Sequence, residues 1–259
     1  MAGALLLTLR EPADGLDRIL VRIRQRLPLP VAGCTGYPVQ HDWHRRLHER
    51  LGRPWPCEHA DAFEALWERM EAELRARGSA PGRASYGGWD DADPQLGLAI
   101  WCLIHSMGPE RVVETGVAHG LTSRIILEAL ERAGRGRLWS IDLPAMDPGL
   151  HEQIAIAVPE RLRARWTYIA GTSRRRLPGL LEQIRPIDLF VHDSSHTRRN
   201  TLFELRLAWS ALGRGAIVAD DINQSTAFAE MSESVGATAV HVALAGDGAA
   251  LFGILLRGV

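Results

Sequence analysis

The sequence predicts an α/β fold: a doubly wound, mostly parallel seven-stranded sheet, closed by an antiparallel C-terminal hairpin and preceded by a helical N-terminal appendage. Three observations lead there. From Pro94 onward, β-branched runs alternate with segments of helical periodicity, the texture of a parallel sheet covered on both faces. One junction, Arg111-Val-Val-Glu-Thr-Gly-Val-Ala-His-Gly-Leu-Thr-Ser123, passes from a strand through glycines into a helix with apolar residues at Leu121, Ile125, Ile126 and Leu130. Two apolar runs at 238–244 and 251–256 flank Ala245-Gly-Asp-Gly248, which is hairpin turn chemistry.

Taken in order, residues 1–93 do not alternate strand and helix and are read as a separate helical region, a lid or an oligomer interface. Leu16, Ile19, Leu20, Ile23 and Leu27 have helical spacing, ended by Pro28 and Pro30. Residues 33–56 are rich in turn formers and histidine. A second amphipathic helix carries Phe63, Leu66, Trp67, Met70 and Leu74, and 78–88 reads as a loop.

Residues 94–259 are read as one ligand-binding domain. An apolar helix at 96–107 leads to a first strand at 111–114, with further strands at 138–142, 166–170, 187–193 and 215–220. Helical material interrupted at Pro159 joins the second and third strands, and a helix holding Leu202, Leu205, Leu207 and Trp209 follows the fourth.

Composition narrows the function classes. All 30 basic residues are arginine, and they nearly cancel 31 acids to leave a net charge of -1, so no polyanionic or nucleic-acid partner is called for. The short apolar run at 4–9 lacks a preceding basic region and is too brief for a secretory core or membrane span. Three widely spaced cysteines, Cys34, Cys57 and Cys102, do not suggest a disulfide framework, which fits a cytoplasmic protein. Cys34, His41, His44, His48, Cys57 and His59 are zinc-ligand types, but their spacing matches no compact finger. They are read as a histidine-rich surface region. The arginine runs at 174–176 and 198–199 are read as solvated faces.

Ligands of open α/β sheets sit beyond the carboxyl ends of the strands, so the acids where strands stop carry the candidate chemistry: Glu114, Asp142, Asp193, Asp220 and Asp221. The glycine turn permits close backbone approach, and the following helix N-terminus suits an anion. Asp142 follows Gly116 at about the separation of a ribose-binding acid, yet Gly-x-G-x-x-G is missing and no phosphate loop exists. That combination favours a nucleoside ligand without a pyrophosphate over a nicotinamide cofactor.

With Val-Val-Glu-Thr-Gly-Val-Ala-His-Gly-Leu-Thr at 112–122, Ser-Ile-Asp at 140–142, Phe-Val-His-Asp at 190–193 and Gly-Ala-Ile-Val-Ala-Asp-Asp at 215–221, the chain resembles the class I S-adenosylmethionine-dependent methyltransferases. The resemblance runs from about Gln95 to the C-terminus. It implies a Rossmann-like methyltransferase fold with S-adenosylmethionine as cofactor. It further implies that Glu114, Gly116 and Gly120 line the cofactor, Thr122 holds its carboxylate, Asp142 takes the ribose hydroxyls and Ser173 lies near the adenine.

Within that superfamily, Asp193, Asp220 and Asp221 resemble the divalent-metal triad of catechol-type and antibiotic-sugar O-methyltransferases, with Mg2+ the implied ion. His196 stands where those enzymes place a base or second acid, and Asp193-Ser194-Ser195-His196 departs from them by serine in place of that acid. The implied activity is methylation of a hydroxyl on a small natural product, such as a sugar or phenol. Two alternatives remain at this point: metal-free N-methylation or another adenosylmethionine reaction with His196 as base, and a non-catalytic cofactor-binding protein, with homo-oligomerisation open in every case.

Overall fold

The structure is a computed structural model that describes residues 37–82, 85–86, 91–143 and 148–259. The first predicted helix, Cys34 and Trp89 lie outside these residues. Helices α1 (Trp43–Leu51) and α2 (Ala60–Ala76) precede α3 (Pro94–Met107), which leads into β1 (Arg111–Thr115) and α4 (Leu121–Arg132). Then come β2 (Arg137–Asp142), two 3-10 turns (Pro148–Gln153 and Glu160–Arg165), β3 (Trp166–Ala170), α5 (Ser173–Ile184), β4 (Ile187–His192), α6 (Arg198–Ala211) and β5 (Leu212–Ala219). A short 3-10 turn, Ile222–Gln224, then α7 (Ala227–Ser234), β6 (Ala239–Leu244) and β7 (Leu251–Arg257) complete the order.

The seven strands lie in the order β3-β2-β1-β4-β5-β7-β6, with β7 antiparallel to both neighbours. The strand order therefore reverses between β1 and β4, and a crevice opens there beyond the carboxyl ends. Alternate residues build two cores. Val112, Leu138, Leu189, Val191, Ala216 and Val218 face α1–α4, whereas Val113, Ile141, Phe190, Ile217 and Ala219 face α5–α7.

One expectation needs correction. The turn-rich stretch 33–56 contains α1, whose Trp43 and Leu47 are buried against the sheet, Trp43 edge-on to Phe252 at 5.2 Å. Tertiary burial of one apolar stripe decided against the local turn signals. The helical material expected between β2 and β3 takes the form of two 3-10 turns, the second capped by Pro159. No described helix is long and apolar enough to cross a membrane.

Helix α3 is set by its own ends. Asp93 caps it by accepting from the backbone N–H groups of Gln95 and Leu96 at 2.8 and 3.1 Å, Pro94 occupies the first turn, and left-handed Gly108 ends it. The β1–α4 turn is set by close approach. A Cβ on Gly116, whose φ is 90°, would stand 1.7 Å from the Asp193 carbonyl oxygen, and one on Gly120 would stand 2.9 Å from the Ala155 Cα. These two glycines thus serve the protein's own backbone, drawing the ends of β1 and β4 together and seating the 154–158 segment on the turn.

Candidate active site

Beyond β1 and β4 the predicted acids converge, at different depths. Glu114 sits below the rim and fully buried, its Oε2 accepting hydrogen bonds from Ser123 and Ser140, each at 2.6 Å. Its Oε1 has no partner among the described residues. Burial drives this carboxyl up to about 7, the two serines oppose the shift, and the charge of Asp142 adds to it. Asp142 is the last residue of β2.

Asp193 follows β4 directly, its backbone N–H donating to the Thr115 carbonyl at 2.9 Å. Thr122, in the first turn of α4, donates to Asp193 Oδ2 at 3.4 Å, so the hydroxyl expected to hold a ligand carboxylate already faces one of the chain's own. Burial and the charges of Glu114, Asp221 and Asp91 push the Asp193 carboxyl well above the usual carboxylate range. Asp220 is pushed the same way by burial, Asp221 and Asp193.

Donor atoms of Asp193, His196 and Asp220 all lie within 4.8 Å of one another. The set differs from the sequence expectation in one member. Asp221, in a left-handed conformation with φ 50°, accepts from the Gln224 side chain and lies 3.9 Å from His196 Nε2. Burial keeps His196 below the usual histidine pKa, hence neutral, and its Nδ1 has no partner among the described residues.

Two buried pairs were not anticipated. His119 Nδ1 lies 2.5 Å from Asp91 Oδ2, with Gln153 Oε1 3.3 Å from its other nitrogen and the Tyr86 ring edge-on at 5.0 Å. Burial opposes protonation of His119, but Asp91 raises its pKa above the ordinary value. Tyr86 and Asp91 are thus held against His119 of the glycine turn, while Trp43 and Trp67 pack into the core.

The second pair lies on the opposite face of the sheet. Glu204 of α6 accepts from Thr115 Oγ1 and His192 Nδ1, each at 2.6 Å, and from Ser194 Oγ and Asn200 Nδ2, each at 2.9 Å. Burial disfavours its charge, yet His192 and the hydroxyl donors hold the carboxyl down to about 2. Ser173 donates to Asn200 at 3.3 Å and joins this network. The neighbouring Thr172 is buried with a hydroxyl that has no partner among the described residues. Arg198 is tied to Glu230.

The Glu204 cluster supports the 193–196 loop from beneath. Because its folded pKa lies below its ordinary 4.5, its stabilisation is complete above that pH and is lost as pH falls toward 2. Glu204→Gln should lower stability at neutral pH by about 3 kcal/mol, measured by denaturant unfolding, and should flatten the acid limb of the stability profile. An unchanged unfolding midpoint would show the cluster to be dispensable.

Residues 113–222 match a family model described as a methyltransferase domain. Comparison with curated protein sequences finds no match. Among solved structures, the chain is similar to a candidate O-methyltransferase from Klebsiella pneumoniae, at 17% identity and TM-score 0.54 over 83% of this chain and 96% of that one. It is also similar to an O-methyltransferase from Bacillus cereus in complex with S-adenosylhomocysteine, at 13% identity and TM-score 0.52 over 82% and 97%. TomG, an O-methyltransferase from Streptomyces achromogenes involved in tomaymycin synthesis and solved with S-adenosylmethionine, shares 13% identity at TM-score 0.52 over 73% and 87%. These likenesses establish the shared fold. The match over residues 113–222 identifies a methyltransferase domain, carried on the fold that those structures share.

Proposed function

We propose that the protein transfers a methyl group from S-adenosylmethionine to a hydroxyl of a small natural-product acceptor, such as a sugar or phenol, with a divalent cation held by Asp193, His196 and Asp220. The convergence of those three donors beside the β1–α4 turn carries this reading. Two carboxyls raised by burial and mutual repulsion, next to a neutral imidazole with a vacant lone pair, are chemically suited to a cation, whose charge would relieve that repulsion. The mainly oxygen donor set suits Mg2+, although an imidazole ligand also admits Mn2+ or a later divalent ion.

The cofactor pocket is supported by Glu114 Oε1 and Thr172 Oγ1, both buried and unpartnered among the described residues, and by Asp142 at the strand end. When bound, S-adenosylmethionine supplies an electrophilic methyl group. A cation at the three donors would supply positive charge to orient an acceptor hydroxyl and favour its ionised form. The chain's own contribution is positional: Gly116 fixes the spacing of the β1 and β4 ends, and the Glu204 cluster holds the loop that carries Asp193 and His196. In the same proposal, residues 94–259 are the catalytic domain, and Tyr86 and Asp91, packed on His119, stand on its acceptor side.

The test is methyl transfer from labelled S-adenosylmethionine to a panel of phenols, sugars and amines, with EDTA and Mg2+ add-back. Loss of hydroxyl methylation in EDTA and its recovery with Mg2+ are expected. Serine at 194 and 195 and the neutral state of His196 favour a second reading, in which His196 accepts the acceptor's proton directly. Turnover unaffected by EDTA selects that reading, and methylation confined to amines overturns the proposed acceptor class.

A further inference from the structure

A second cluster of metal-ligating side chains shares no residue with this site. The donor atoms of His48, Cys57 and Cys102, all three residues buried, fall within 4.8 Å of one another. The two sulfurs are 3.1 Å apart and not bonded. Helix α3 ends at Met107, just before β1 begins, so Cys102 stands near the amino end of the sheet, opposite the rim that holds Asp193.

The sequence spacing of these residues had suggested only a histidine-rich surface, because Cys102 is distant in the chain from the other two. Folding changes that assignment. The loop after α1 is drawn onto α3 by Arg53, which donates to the Ser106 carbonyl at 2.8 Å, and by Trp101, whose Nε1 donates to the His59 carbonyl at 3.0 Å. Cys57 is thereby brought against Cys102.

We infer that His48, Cys57 and Cys102 form a structural zinc site that fastens α1 and the following loop to α3. His48 is oriented as a ligand. Its Nδ1 donates to the His44 carbonyl at 2.8 Å, the backbone-carbonyl support common for metal-bound histidines, which fixes the tautomer and turns the Nε2 lone pair to the Cys57 thiol, its hydrogen-bond partner. Two thiols and an imidazole are soft and borderline donors that select zinc over magnesium or calcium. Zinc bonds of about 2.0–2.3 Å set tetrahedral donors roughly 3.5–3.8 Å apart, so an ion would draw the two sulfurs roughly 0.6 Å further apart than their 3.1 Å separation. The cluster supplies three of the four donors of a tetrahedral site, and water would take the fourth position.

The site is tested on the full-length protein. One equivalent of zinc that resists dialysis is expected by elemental analysis. After its removal, Co2+ should give a thiolate-to-cobalt charge-transfer band that Cys57→Ser and Cys102→Ser each weaken by about half or more. Asp193→Asn, which alters the rim cluster, should leave the band intact, separating this ion from any ion held there. Chelation should also lower the thermal midpoint. The inference is overturned by wild-type protein that holds no zinc and shows no cobalt band, or by mass analysis showing Cys57 and Cys102 joined as a disulfide. These wild-type measurements decide the matter even if a cysteine variant fails to fold.

Discussion

Asp193→Asn is expected to reduce methyl-transfer turnover by about 10^3-fold while changing calorimetric affinity for S-adenosylhomocysteine by less than about tenfold. The substitution keeps the shape of the side chain, so Thr122 retains a neighbour within reach, but it removes one of the two carboxylates opposite His196. If the site works by holding a cation and an acceptor oxygen in line with the methyl group, most of the rate gain is positional and electrostatic and disappears with that charge. Asp220→Asn should behave alike. Asp221→Asn should cost less, because Asp221 is engaged by Gln224 and is not in the three-donor cluster. Turnover of Asp193→Asn within tenfold of wild type would remove this carboxylate from the chemistry, and equal losses for Asp221→Asn and Asp220→Asn would restore the triad suggested by the sequence.

Gly116→Ala is expected to destabilise the protein by about 3 kcal/mol or more and to abolish activity with it. Positive φ alone costs an L residue about 1–2 kcal/mol. The added Cβ would also stand 1.7 Å from the Asp193 carbonyl oxygen, and that contact is relieved only by separating the ends of β1 and β4. The separation would displace Asp193 from Thr122 and open the crevice. Gly120→Ala meets Ala155 at 2.9 Å and should be milder, since a linker segment gives way more readily than a central strand. Thermal unfolding checks both, and a Gly116→Ala midpoint equal to wild type would refute the close-approach argument.

The strands were legible because period-two and continuous apolar runs survive as local signals: β3 falls at the predicted 166–170, and β1, β2, β6 and β7 agree within a residue or so. Helix α1 was not, because its mean composition is polar and only Trp43, Leu47 and His48 turn inward. The site acids were legible as a class, since strand-end position is a sequence property. Their depth was not: Glu114 is sealed between Ser123 of α4 and Ser140 of β2, and neither partner is adjacent in the chain.

The order of residue types along the chain was enough to determine an alternating α/β sheet with a terminal hairpin, a glycine junction after β1, and acids at the strand ends. Only the tertiary structure decided which side chains meet. His196 rather than Asp221 joins Asp193 and Asp220, Asp91 reaches His119, Glu204 receives His192, and Cys102 closes on Cys57. The reason is physical. Periodicity and turn chemistry act over a few residues, whereas side chains far apart in sequence meet only after strand order, helix packing and backbone conformations such as the left-handed turn at Asp221 have set their positions.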